Sequence, residues 1–183
     1  LRVAQELAGF PRELYFTRPR RVALQDYLLR RFARAVETHS RGHRGTGKSG
    51  LILVDRCGQE ILERTGAVVN GDYVEIRFAV GLPSRGRTIN AREAVDIFFR
   101  ELPAIAGEAL FYRKLDAGDV RRYVDLVEDQ EFLRSRLKEL GLVAFVANGS
   151  VLPRESGVSD RPLTGGRVIP FVSPPELEVT LEL

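Results

Sequence analysis

"VVNGDYVEIRFAV", Val68 to Val80, is the stretch from which the fold class follows. Val74, Ile76, Phe78 and Val80 alternate with Glu75, Arg77 and Ala79, the period of two that gives a strand one buried face. Asn70 and Gly71 just before it both tolerate positive φ, so the spacing predicts a hairpin with a type I′ turn centred on this pair. An amphipathic strand of this kind needs a partner layer to cover its apolar face.

The segments on either side supply that layer. "RRVALQDYLLRRFARAVETHS", residues 20–40, reads as a helix. Leu24, Leu28, Phe32, Ala35 and Val36 fall on one side, and Arg20, Arg30, Arg31 and Arg34 on a solvated opposite side. "GLILVD", residues 50–55, is a short apolar run expected as a buried strand. Asn90 with Glu93 signals a helix start, and the helix over "AREAVDIFFREL" is expected to stop or kink at Pro103. Asp116 caps a further helical stretch towards Leu140, with Gly141 at the position of a C-terminal glycine. "LVAFVANGSVLPR" reads as a second hairpin turning at Asn148-Gly149, and the tail is loop-rich with an alternating, strand-like end. Together these predict an α+β protein: β-hairpins and a short mixed sheet packed with several helices, as one domain over 1–183 or two subdomains sharing a core.

The 183 residues are 44% hydrophobic and 29% charged, the balance of a globular domain. No run approaches the roughly 18 apolar residues of a membrane-spanning helix, so no membrane partner is expected. The single Cys57 suits a reducing, cytoplasmic setting. The chain opens without Met and without a signal peptide, and reads as a piece of a longer protein. Net charge is only +3, yet residues 1–50 hold 11 Lys or Arg against 4 Asp or Glu. Of the 28 basic residues 25 are Arg, which a coding bias explains, but such a bias does not explain the clustering. An anionic partner does.

Within that basic segment, "GHRGTGKSG", residues 42–50, satisfies the pattern Gly-x-x-x-x-Gly-Lys-Ser of a nucleotide phosphate loop. That loop works between an incoming strand and an outgoing helix whose N-terminus adds positive potential. Here the order is reversed, with a helix before Gly42 and the apolar run after Ser49. Nucleotide binding by Gly42–Ser49 is therefore the weakest reading, and a flexible connector is the bland one. An anion-binding loop is favoured: Gly42, Gly45, Gly47, Ser49 and Gly50 let a phosphate approach the backbone, while Arg41, His43, Arg44 and Lys48 supply charge. Arg85 and Arg87 in "GLPSRGRTI", and Arg154 after Leu152-Pro153, stand in turns of similar layout that are expected to share one face and to add further phosphate contacts. No catalytic residue and no metal site is assigned. His39, His43 and Cys57 lack the paired spacing of metal ligands, and Ser156 and Ser159 have no histidine nearby to act as a base.

Several segments, in order along nearly the whole chain, resemble one family: "GFPRELY", "RRVALQDYLLRRF", "GTGKSG", "GQEILERT", "VEIRFAVGLPSRGRTI", "LVAFVANGSVLPRESGVSDRPL" and "PFVSPPEL". They look like the N-terminal domain of the ATPases of the ABC class. The resemblance implies that residues 1–183 are an accessory domain and that the ATPase domain, with its ATP and Mg²⁺, lies C-terminal to residue 183. No cofactor is expected for 1–183 itself. Part of that family, in kinetoplastid mitochondria, is associated with RNA editing and RNA binding, so nucleic acid, RNA ahead of DNA, is the implied partner of the basic loops. The other partners weighed are the ATPase domain of the same chain and a second copy, with 1–183 as a docking or dimerisation module.

Overall fold

The computed structural model describes residues 1–166 and 168–181. It divides into two compact units, Leu1–Val127 and Glu128–Leu183. The first unit carries all the named strands: β1 (Arg2–Ala4), β2 (Ile52–Val54), β3 (Ala67–Val69), β4 (Tyr73–Ile76), β5 (Phe78–Val80), β6 (Ser84–Arg85) and β7 (Thr88–Ile89). They form a three-stranded sheet in the order β1-β4-β3 and two ribbons, β2-β5 and β6-β7. Every pairing is antiparallel, so the fold is α+β as expected, with antiparallel pieces in place of a mixed sheet.

The expected hairpin is present, with two differences. Val69 pairs with Val74, and the Asn70 amide donates to the Tyr73 carbonyl at 3.1 Å, so the turn centres on Gly71-Asp72, one residue later than expected. Among the described residues no non-glycine has positive φ, and Gly71 does not either, which rules out type I′. The reason is the Asn70 carboxamide: its Oδ1 accepts from the amides of Asp72 at 2.9 Å and Tyr73 at 2.8 Å. Such an Asx turn favours asparagine at the first position of a right-handed turn. The strand itself is interrupted at Arg77, so that Val74 and Ile76 face the three-stranded sheet's core while Phe78 and Val80 serve the β2-β5 ribbon. Glu75, placed on the polar face by alternation, is buried in the central strand between Arg2 and Arg77, and these two guanidiniums hold its carboxyl below the usual range.

Helix α1 spans Gln5–Ala8, and α2 (Arg18–His39) runs through the middle of the first unit. The Thr17 hydroxyl caps α2 and Pro19 occupies its first turn, where a missing amide costs nothing. Leu24, Leu28, Leu29 and Phe32 are fully buried, each worth about 1.5–3 kcal/mol, and Phe32 stacks on Phe78 with centroids 5.3 Å apart. The arginine face of α2 is not simply solvated. Arg20 meets Asp125 at 2.9 Å, Arg30 meets buried Asp26 at 2.5 Å, and Arg31 lies 3.9 Å from Glu108. Asp26 Oδ2 also accepts from the Tyr123 hydroxyl at 2.6 Å, so a second helix bonds this buried carboxylate.

That second helix is α5 (Ala117–Arg136), started by Asp116, whose Oδ1 accepts from the Asp119 amide at 3.0 Å. Before it, α3 (Ala91–Asp96), a π-turn (Ile97–Glu101) and α4 (Leu102–Ala109) form one continuous helix. Pro103 sits in the first turn of α4, and the wider π-turn before it absorbs the amide that proline lacks. Ile97, Ile105, Ala109, Val120 and Val124 complete the core under α2.

The second unit begins within α5. Beyond Arg136 the helix unwinds through Gly141, φ 68°, as the terminal glycine predicts. "LVAFVANGSVLPR" does not pair with itself as a hairpin. The Gly149 amide donates to Phe171 and the Phe171 amide to Ser150, both at 2.8 Å, and Asn148 Oδ1 accepts from Ser173 at 2.7 Å. The Asn-Gly turn is real, but its partner comes from the tail. An apolar groove of about 670 Å³ lies between these segments, lined by Leu133, Leu137, Phe145, Phe171, Leu177 and Val179 among others. The strand expected at the tail's end is not formed over 178–181, and 182 and 183 lie outside the described residues.

Candidate functional site

Helix α2 leads into the glycine-rich loop and strand β2 leads out of it, the reverse of a phosphate loop's setting. After Ser49 the chain is a turn, with the Ser49 amide bonded to Thr46 at 3.2 Å and the Leu51 amide to Lys48 at 3.1 Å. There is no helix N-terminus at Lys48-Ser49 to add positive potential. Ser49, which would face a metal ion in a nucleotide site, is 6% exposed, and its hydroxyl meets that of Ser84 at 3.0 Å. Residues 42–50 do not fit a nucleotide phosphate or its Mg²⁺.

The glycines have a different explanation. Two chain segments, 45–50 and 81–84, cross in direct contact. The Gly50 amide donates to Gly81 at 2.6 Å and the Gly81 amide to Leu51 at 2.9 Å. A Cβ on Gly81 would lie 1.8 Å from the Lys48 carbonyl oxygen, and one on Gly45 would lie 2.4 Å from that of Ser84. On Gly50 it would strike Arg44 and the Gly42 carbonyl, both at 2.6 Å. Gly42 and Gly47, by contrast, have open space around them and are needed for φ of 74° and 61°. Close packing against the 81–84 segment therefore accounts for Gly45, close packing within the glycine-rich loop for Gly50, and left-handed turns for Gly42 and Gly47.

This crossing places the β6-β7 hairpin against the glycine-rich loop. Gly86, φ 61°, makes the tight turn, and Arg85 and Arg87 on either side are exposed. Lys48 and His43 are exposed too, and none of these four side chains has a hydrogen-bond or ion-pair partner among the described residues. Arg41, 70% exposed at its side chain, lies 3.9 Å from Asp96. Both of the crossing loops thus carry exposed cations.

Arg44 is not among them. Its side chain is only 6% exposed and turns inward, where its guanidinium donates to the Glu93 carbonyl at 2.8 Å and pairs with the buried Glu101 carboxylate. It ties the loop to the π-turn. Arg154 lies in the second unit, where it bridges to Pro162 and meets Asp160 at 3.5 Å.

The region that sequence reading left out of the basic site is α3 and the π-turn. With the loops it gives seven Lys or Arg against three Asp or Glu over 41–50 and 84–101. Arg92 and Arg100 are exposed, and Arg100 reaches Asp96 at 3.4 Å. A crevice of about 220 Å³ opens between loop and π-turn, lined by His39, Arg41, Asp96, Arg100, Glu101 and Ala104. The His39 ring bonds Glu108 at 2.6 Å, which gives it a structural partner.

Residues 1–113, more than half of the chain, match the family described as ATPase of the ABC class N-terminal. The chain belongs to the ABC-class ATPases. Residues 116–183 match the P-loop domain of ABC ATPases. The change of match falls at the start of α5, ahead of the 127/128 division between the compact units and well inside the 1–183 span expected for the N-terminal domain. The phosphate-loop pattern at 42–49 thus lies in the N-terminal match, and the segment matching the P-loop domain contains no Gly-Lys-Ser or Gly-Lys-Thr. No curated protein matches the chain. No helix among the described residues is long and apolar enough to cross a membrane.

Proposed function

We propose that residues 1–113 are a nucleic-acid-binding accessory region of an ABC-class ATPase, with RNA as the preferred ligand. The observation that supports the proposal is the crossing of the two loops, which sets the segment carrying Arg41, His43 and Lys48 against the one carrying Arg85 and Arg87, all five exposed, while a separate buried arginine holds the loop in place. Such cations contact phosphates, and so position a strand without reading its sequence. Nucleotide binding and hydrolysis belong, in this proposal, to a phosphate loop elsewhere in the P-loop domain, in a cytoplasmic protein.

The test is binding of fluorescent RNA and DNA to the chain over a range of salt. Each phosphate contact on a single strand contributes about 0.7 to the slope of log K against log salt, so Lys48→Ala/Arg85→Ala/Arg87→Ala should lower that slope by about 2. An unchanged slope, or no binding at low salt, refutes the proposal. Calorimetry of residues 1–183 with ATP and Mg²⁺ should show no heat of binding, and Lys48-dependent heat would return the loop to nucleotide chemistry.

A further inference from the structure

Helix α3 and the π-turn present an unpartnered face beside the basic loops. Arg92, Val95 and Phe99 follow one another at helical spacing along it, and all three are exposed. Phe99 is 75% exposed, Val95 53% and Phe98 41%. Neighbouring Ile97 and Glu101 point inward and are buried, so the π-turn holds Phe98, Phe99 and Arg100 outward as a consecutive triplet. π-turns inside α-helices are often found at functional sites. No described aromatic ring stacks on Phe98 or Phe99.

The position of this face indicates what covers it. Asp96, one step along the helix from Phe99, lies between Arg41 of the glycine-rich loop and Arg100. Arg44 joins the same loop to Glu93 and Glu101. The aromatic pair is thus fastened to the cationic surface and rimmed by Arg92 and Arg100. Planar apolar rings among guanidiniums match a ligand that carries flat bases on a phosphate backbone. A duplex hides the faces of its bases, whereas a single strand offers them for stacking.

Resting on the reading above, we propose that Phe98 and Phe99 form a base-stacking platform, so that the ligand is a single strand whose bases lie on the π-turn while its phosphates follow Lys48, Arg85 and Arg87. Stacking of this kind tolerates any base, which suits an accessory region without sequence readout.

The experiment compares a single-stranded RNA with an RNA hairpin of equal length, by fluorescence anisotropy, on wild type, Phe99→Ala and Phe99→Trp. Loss of the platform should weaken single-strand binding by about 5- to 100-fold. It should leave both the salt slope and the hairpin affinity as they were. Phe99 is exposed, so an unchanged melting temperature is expected and confirms folding. The chain contains no Trp, so Phe99→Trp gives one emission signal, which should be quenched as the strand is added. Wild-type single-strand affinity in Phe99→Ala together with an unquenched Phe99→Trp overturns the platform, and leaves the phosphate-contact reading standing if the triple charge variant still loses its slope. Absence of any wild-type binding at low salt overturns both. A dimer in light scattering that Phe99→Ala dissociates assigns the face to a second copy, and also overturns the platform.

Discussion

Arg44→Met is the substitution that best separates architecture from ligand contact in the basic loop. Read from sequence, Arg44 is one cation among several, and its loss should weaken anion binding. In the structure its guanidinium is 6% exposed and faces Glu101, which is 8% exposed. Arg44 bonds Glu101 Oε1 while Oε2 has no hydrogen-bond partner, so Arg44 is the carboxylate's main compensation. Removing one member of a buried pair costs about 3–5 kcal/mol, because the other charge stays behind uncompensated. The Glu93 carbonyl loses one of its two donors as well, which adds about 1 kcal/mol. For a chain of 183 residues a destabilisation of 1 kcal/mol lowers the melting temperature by about 2–4 °C, so Arg44→Met should melt roughly 8–24 °C below wild type. Arg44→Met/Glu101→Met removes both charges and fills the space with apolar atoms, an exchange that is often neutral or stabilising. It should recover most of the loss. The assay is circular dichroism on the four corners of the cycle, with salt-dependent RNA binding measured well below each transition. Arg44→Met should keep the wild-type salt slope while folded, whereas Lys48→Ala drops it by about 0.7. A melting temperature within about 2 °C of wild type, or a double variant no more stable than the single, would falsify the buried-pair account.

The glycines and the titrating groups give two further predictions. Gly81→Ala, with its Cβ 1.8 Å from the Lys48 carbonyl oxygen, should destabilise by at least about 3 kcal/mol. Gly47→Ala, which needs only a left-handed backbone in open space, should cost about 1–2 kcal/mol, and chemical denaturation measures both. In alkali, burial and the hydrogen bond to Asp119 push the Tyr27 phenol up to about 12, and burial beside Asp26 pushes the Cys57 thiol up to about 11. Both folded values lie above the ordinary ones, so the stability they carry is complete below about pH 9 and is lost as pH rises towards 12. Native Cys57 should react with a thiol reagent at pH 8 far more slowly than in urea, and Tyr27→Phe should flatten the alkaline loss of stability above pH 10. Equal thiol rates in the two states would remove the burial argument.

The parts of the fold that were legible are those in which one segment settles its own conformation. Asn90 and Asp116 cap their helices through bonds to amides three residues on, so the signal and its effect share one turn. Asn70 marks a real hairpin for the same reason, although its side-chain bonds, rather than a left-handed backbone, define the turn type. Asn148-Gly149 shows where this logic ends. The local turn forms, yet its amide and carbonyl partners lie more than twenty residues along, at Phe171 and Ser173. The arginines of α2 carry the same lesson, because a helix periodicity gives a polar face but not the Asp125 and Glu108 that meet it.

The glycine-rich loop was illegible in a more specific way. Its glycines satisfy a motif whose meaning depends on what a bare Cα admits: in a nucleotide site a phosphate, here the Ser84 carbonyl at Gly45 and the loop's own Arg44 and Gly42 at Gly50. Glycine spacing cannot distinguish the two, since both need an absent Cβ. The neighbouring elements can, and the strand after Ser49 was already sufficient to argue against a nucleotide. The inward turn of Arg44 had a signal too, but a distant one. Ile97, Glu101 and Ile105 repeat at helical spacing on a face otherwise apolar, and a carboxylate on such a face requires a buried cation. Seven Lys or Arg lie within 41–50 and 84–101, and only the fold selects Arg44. The same selection gives the surface its character. One arginine neutralises the interior acid and pins the loop to the π-turn, which frees Lys48, Arg85 and Arg87 to face outward beside Phe99. If Arg44 instead faced solvent and Glu101 were left unpaired, the loop would lose its anchor, and the cations and aromatic rings would no longer be held on one surface.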